Sequence, residues 1–88
     1  MQVKVLYFAS MRELTGKNEE VFEFGTDNDV TAKSVKEALL LKYASEAPIT
    51  ALIQTSMLAV DQEYVLDLEA TRITSQSEVV LIPPISGG

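Results

Sequence analysis

The six residues Val3-Lys4-Val5-Leu6-Tyr7-Phe8 constrain the fold more than any other stretch. β-Branched and aromatic residues dominate them, the composition of a strand. Alternation puts Val3, Val5 and Tyr7 on one face and Leu6 and Phe8 on the other. Both faces turn apolar toward the end, so this strand belongs in the middle of a sheet with cover on each side. Its nearest partner follows closely. Residues 20–24, Glu-Val-Phe-Glu-Phe, alternate as a second strand, with Phe22 read on the face opposite Val21 and Phe24. Residues 10–16 between them form a short helical turn closed by Gly16 in a C-cap role. Strands this close in sequence are expected to pair antiparallel.

Residues 25–29 are a polar loop that leads into a helix. Thr31 or Ser34 can cap it, the latter with Glu37 as a capping box. Val35, Ala38, Leu39 and Tyr43 recur at helical spacing as its buried stripe, which Leu40 and Leu41 widen. Asp27 and Asp29 stand before its positive dipole end, and Lys33, Lys36 and Lys42 form its wet face. Pro48 stops the helix or begins the next segment. Residues 49–56 fit a short helix or a loop. Met57-Leu58-Ala59-Val60 is a strand, Asp61-Gln62-Glu63 a turn and Tyr64-Val65 the return. Residues 68–74 read as loop with one turn of helix, and residues 78–82 as a final strand stopped by proline.

The order β-β-α-β-β places one main helix against a mixed sheet of four to five strands. First and last strands side by side and parallel, with the helix in a right-handed crossover, satisfy the connection rules. That is an α+β fold of the β-grasp, or ubiquitin-like, type.

What the chain lacks narrows its chemistry. It has no cysteine and no histidine. Disulfides, thiol nucleophiles, Cys/His metal sites and imidazole acid–base work are therefore excluded. The remaining carboxylates, hydroxyls and lysines fall in no catalytic constellation, so no enzyme activity is expected of this chain alone. Asp61, Glu63 and Asp67 lack the glycine and the distal Glu of a calcium loop, and no metal site is expected. A net charge of −6 points away from nucleic acid and anionic lipid, and suits docking on a basic partner. In 88 residues, no apolar run is long enough to cross a bilayer and no signal peptide is visible. One soluble, cytosolic domain is expected.

That domain takes up residues 1–82, and residues 83–88 are expected as an extended tail. Pro83 and Pro84 fix φ, remove two donors and make a stiff stalk that holds the rest away from the body. Ile85-Ser86 then leads to Gly87-Gly88, which carry no side chains and reach φ/ψ values closed to other residues. So thin a tail can enter a channel and present the terminal carboxylate of Gly88 there. A frayed terminus is the plain alternative.

Val5-Leu6-Tyr7-Phe8-Ala9, Arg12-Glu13-Leu14-Thr15-Gly16 and Ile82-Pro83-Pro84-Ile85-Ser86-Gly87-Gly88 resemble the small, sulfur-carrying subunits of molybdopterin synthase. Ala59-Val60-Asp61-Gln62-Glu63-Tyr64-Val65 matches the central hairpin of that family in type. The likeness spans the whole chain, and departs at Thr74-Ser75-Gln76-Ser77, where the family usually has a Gly-Asp turn. It implies a cycle at Gly88. An activating enzyme adenylates the carboxylate with ATP, and a sulfur donor converts the acyl-adenylate to a thiocarboxylate. The sulfur then passes to a cyclic pyranopterin phosphate in the active site of the large synthase subunit. The implied assembly is a heterotetramer, two small subunits at the ends of a large-subunit dimer, and this chain binds no cofactor itself. Elementary chemistry agrees with the cycle. A carboxylate is a poor electrophile that needs outside activation, and without cysteine no side chain can carry sulfur.

Phe8 and Ile82 should lie side by side on the outer face if the first and last strands pair, and Tyr64 falls where the family places another apolar contact. With Pro83, Pro84, Ile85, Ser86 and Gly87 they are the expected partner contacts. The alternative is that Phe8, Tyr64 and Ile82 are ordinary core residues. Arg12 and Glu13 read as a solvated helix turn rather than as a contact to the activating enzyme.

Three other functions share this outline. Sulfur carriers for thiamine synthesis or tRNA thiolation also end in Gly-Gly, although Pro-Pro-Ile-Ser favours the molybdopterin pathway. A ubiquitin-like modifier would join Gly88 to a target lysine. A pure interaction module would carry an inert tail.

Overall fold

The first apolar stretch becomes strand β1 (Gln2–Tyr7) and lies inside a sheet, as two apolar faces require. The computed structural model describes residues 1–25 and 29–84. Helix α1 (Ala9–Thr15), strand β2 (Glu19–Glu23), helices α2 (Ala32–Lys42) and α3 (Ala47–Thr55), and strands β3 (Met57–Val60), β4 (Glu63–Tyr64) and β5 (Val79–Ile82) follow in turn. The five strands form one sheet in the order β2-β1-β5-β3-β4. β1 runs antiparallel to β2 and parallel to β5, and β3 runs antiparallel to both β5 and β4. This is the α+β, β-grasp arrangement.

Val3, Val5 and Tyr7 of β1 pack with Val79 and Leu81 of β5 against Val35 and Leu39 of α2 and Ile49 and Ile53 of α3. On β2, Phe22 is buried, Phe24 just beyond the strand packs partly buried against the same core, and Val21 points out. Phe22 and Phe24 thus share a face, because the pleat returns every second side chain to the same side. The expected opposition of the two is wrong.

Each helix end has a local cause. Gly16, at φ 72°, closes α1 and donates its N–H to the Arg12 carbonyl at 2.9 Å. Thr31 caps α2, and the box is completed by Ser34, whose Oγ accepts the Thr31 N–H at 3.1 Å. Glu37, one turn further along, takes no part in that box. Leu41 does not widen the buried stripe. It is 80% exposed, since two residues on from fully buried Leu39 the helix has turned about 200°. Residues 47–55 settle as helix, with Pro48 in the first turn, where its missing N–H breaks no hydrogen bond. Asp27 lies outside the described residues.

The hairpin between β3 and β4 turns on Asp61 and Gln62 alone, at φ 51° and 71°. A two-residue turn with both φ positive matches the right-handed twist of its strands, and glycine is the residue it prefers. Left-handed backbone costs an L-residue roughly 1–2 kcal/mol. Asp61 gains in return: its Oδ1 accepts the Glu78 N–H and its N–H donates to the Glu78 carbonyl, each at 2.9 Å. The segment from Thr74 to Ser77 closes its own turn through hydroxyls. Ser77 Oγ accepts the Thr74 N–H at 2.9 Å and Thr74 Oγ1 accepts the Gln76 N–H at 3.2 Å.

One carboxylate is drawn into this interior. Glu20 of β2 accepts hydrogen bonds from Tyr7 Oη at 2.7 Å and from the Tyr43 hydroxyl, and pairs with Lys17 Nζ at 3.0 Å and Lys42 Nζ at 3.2 Å. Burial alone would raise its pKa. Donors from Tyr43, Tyr7, Lys17 and Lys42 outweigh that and hold it at about 2. Lys42 is therefore more than part of the wet face of α2.

Candidate functional site

A single layer of helices covers one face of the sheet and leaves the other open, although β5, and β1 toward its end, are apolar on both. Register decides what gathers there. Leu6 pairs with Val80, Val80 with Ala59 and Ala59 with Tyr64, so one apolar row crosses four strands. Met57 stands opposite Ile82 in the next row, toward the end of β5.

Phe8 joins them from the end of β1. The chain leaves the strand extended at Phe8 and turns into α1 through Ala9, at φ 47°, which leaves the Phe8 ring 48% exposed. Phe8, Leu6, Ala59, Tyr64, Val80 and Ile82 line one groove of about 380 Å³, with Gln62 and Glu78 as its polar members. A second groove of about 280 Å³ is lined by Thr55, Met57, Tyr64, Ile82, Pro83 and Pro84. Tyr64 and Ile82 belong to both. The apolar surface therefore continues from Phe8 to the root of the tail.

Phe8, Tyr64 and Ile82 are thus brought together, and none belongs to the core: Tyr64 is 61% exposed and Ile82 half-buried. Pro83 behaves differently from a free stalk. It is buried, and only Pro84 is exposed, so the chain leaves the body after Pro83. Ile85, Ser86, Gly87 and Gly88 lie outside the described residues. Arg12 and Glu13 are exposed on α1. Leu6 shares the Phe8 face already by alternation. Val80, Ala59 and Met57 carry no signal of their own in the chain order, and only the pairing of β3 with β5 and with β4 reveals them.

The groove can bind but offers little chemistry. Among the described residues, no three carboxylates gather closely enough to hold a metal ion. Asp67 Oδ1 accepts the N–H groups of Glu69 and Ala70, and Asp61 is tied to Glu78, so both serve turns. Among the same residues, no helix is long and apolar enough to cross a membrane.

The profile of the ThiS family matches residues 5–88. A molybdopterin synthase sulfur carrier subunit from Chlamydomonas reinhardtii is 36% identical over 88 residues, covering 100% of both chains. Among solved structures, SAMP1 from Haloferax volcanii matches with a TM-score of 0.74 at 20% identity, covering 100% of both chains. A complex of subunits 1 and 2 of the molybdopterin-converting factor from Helicobacter pylori matches with a TM-score of 0.66 at 18% identity, again over 100% of both chains. At these identities the two structures speak for the fold alone. The family match and the full-length relative go further: the chain belongs to the ThiS family and, within it, to the molybdopterin synthase sulfur carrier subunits.

Proposed function

We propose that this chain carries sulfur for molybdopterin synthesis on the carboxylate of Gly88. The observation that carries the reading is an exposed apolar groove that runs to the root of a Gly-Gly tail. In the proposed cycle a separate activating enzyme spends ATP to join the Gly88 carboxylate to AMP. A sulfur donor displaces AMP and leaves a thiocarboxylate. The large synthase subunit then seats on Phe8, Tyr64 and Ile82, and the tail from Pro84 through Ile85, Ser86 and Gly87 enters its active site. There the sulfur passes to the cyclic pyranopterin phosphate. That substrate is anionic and this chain carries a charge of −6, so the large subunit supplies the basic residues. The chain supplies the reacting group and no catalytic side chain, and works in the cytosol. Support for the partner comes from the two-subunit complex whose chain shares this fold.

Intact mass spectrometry tests the cycle. After incubation with activating enzyme, ATP and a sulfur donor, one oxygen of Gly88 is expected to be exchanged for sulfur. Conjugates to lysine side chains would replace this reading with that of a modifier. An unchanged mass beside a competent activating enzyme would end it.

The docking surface makes its own prediction. Phe8→Ala is expected to weaken binding of the large subunit about 30-fold or more, the scale of a buried aromatic anchor. Ile82→Asp puts a charge into the apolar seam and should leave no measurable complex. Both variants still melt cooperatively, because neither side chain belongs to the core. Calorimetric titration beside thermal melts separates the outcomes. Unaltered binding, or two unfolded variants, would remove Phe8 and Ile82 from the interface.

A further inference from the structure

Gln62 stands where glycine would suit the hairpin better. It is the second residue of a two-residue turn, at φ 71°, and its side chain is exposed. Unlike Asp61 beside it, it gains nothing inside the chain: its carboxamide makes no hydrogen bond among the described residues. It does line the apolar groove, next to Tyr64 and Glu78. Ala9, the remaining non-glycine residue with positive φ among those described, directly follows Phe8, another lining residue of the same groove. The three non-glycine residues with positive φ among those described thus line this groove or adjoin a residue that does. The two-residue hairpin accounts for the positive φ at Gln62, but not for a side chain at a position that glycine would fill without strain.

We infer that Gln62 is a specificity-determining residue of this surface, its carboxamide pairing with a main-chain peptide group of the large subunit as that subunit covers Tyr64 and Phe8. A carboxamide offers a donor and an acceptor on one planar group, the complement of a peptide N–H and C=O. A neutral pair also suits an apolar groove, where a charged one would lose more solvation. The inference rests on the docking reading above and adds what gives that docking its register.

The test titrates the synthase large subunit of the same organism with the unmodified chain, Gln62→Gly, Gln62→Glu and Tyr64→Ala, beside thermal melts of each. Gln62→Gly is expected to raise Tm by about 4–8 °C and yet to bind about tenfold more weakly. Gln62→Glu keeps the reach and the backbone burden but loses the donor, so it binds more weakly without the rise in Tm. A residue that only shaped the turn would let affinity follow stability. If Gln62→Gly binds as tightly as the unmodified chain while Tyr64→Ala does not, the role of Gln62 is refuted and the docking surface stands. A fall in Tm for Gln62→Gly would remove the premise. If the unmodified chain fails to bind, both readings fall together.

Discussion

Removal of Gly87 and Gly88 is expected to leave a protein that melts at the same temperature and still binds the large subunit, yet gains no sulfur. The reasons lie in separate parts of the chain. The buried side chains of the last strand are Val79 and Leu81, and among the described residues the core cluster runs no further than Leu81; glycine has no side chain to add to it. The side chains proposed for docking, Phe8, Tyr64 and Ile82, also belong to the body. The carboxylate, by contrast, would retreat by about 7 Å, two residues of extended chain. It would then sit on Ser86, whose side chain widens a tip that glycine keeps bare. Sulfur loading is read by intact mass after incubation with activating enzyme, ATP and a sulfur donor, and transfer by molybdopterin formation with the large subunit. Both are expected to vanish, while binding of the large subunit weakens only by the contacts of the two lost glycines and remains measurable. Sulfur on the shortened chain would show that Gly88 is not the carrier. Loss of binding would show that the tail, rather than the groove, holds the partner. The complementary variant, Ile82→Asp, should load sulfur normally and fail to deliver it, so loading and docking are expected to separate cleanly.

Much of this frame was legible in the order of residues, and the exceptions share a cause. Val3, Val5 and Tyr7 alternate with an equally apolar Leu6 and Phe8, which already places β1 inside a sheet with two occupied faces. Pro83 marks the end of β5, and the parallel pairing of β1 with β5 follows from connection rules alone. The docking row is different. Leu6, Val80, Ala59 and Tyr64 line up only through three separate registers, and a slip of one residue in any strand would turn its side chain to the helices instead. Only the β3–β4 register is set locally, by the Asp61-Gln62 turn; those that join β5 to β1 and β3 span distant segments, so Val80, Ala59 and Met57 could not be found from the chain order. The chain order suggests the three-residue turn Asp61-Gln62-Glu63, whereas Glu63 pairs with Val60 and leaves a hairpin of two residues, and the positive φ of Gln62 follows from that shorter turn. Glu20 hid for the same kind of reason. It begins an alternating Glu-Val-Phe-Glu-Phe run, and nothing in that run marks it as a buried carboxylate, because its partners Tyr7 and Tyr43 arrive from 13 and 23 residues away.

Glu20→Gln is expected to destabilise the fold by about 3 kcal/mol at neutral pH, and the deficit should disappear in acid. In the folded chain the carboxyl titrates at about 2, against an ordinary 4.5. Burial opposes that shift, and the four donors overcome it. A carboxyl held down by this margin adds about 3 kcal/mol to stability wherever the unfolded chain is also ionised, above pH 4.5 or so. As pH falls from about 4.5 toward 2, the unfolded chain takes up its proton first, and the contribution drains away. Below that range both states are protonated and nothing remains. Gln keeps one acceptor oxygen for the tyrosine hydroxyls, but turns an amide N–H₂ toward Lys17 and Lys42 and carries no charge, so it cannot show this dependence. Burial, and after it the neighbouring Glu20 carboxylate, raise the Tyr7 and Tyr43 hydroxyls, which sets the alkaline limit. Their contribution is full below pH 10 and is lost as pH climbs beyond it, when the unfolded chain ionises first. Urea unfolding of both proteins from neutral pH down to about pH 2 isolates Glu20 from the other carboxylates, since those titrate equally in each. A gap that closes across that range would establish the network as a main stabilising feature of a domain whose total stability is on the order of 5–15 kcal/mol. Parallel curves would mean that Tyr7, Tyr43, Lys17 and Lys42 only compensate for burying the charge and add no net stability.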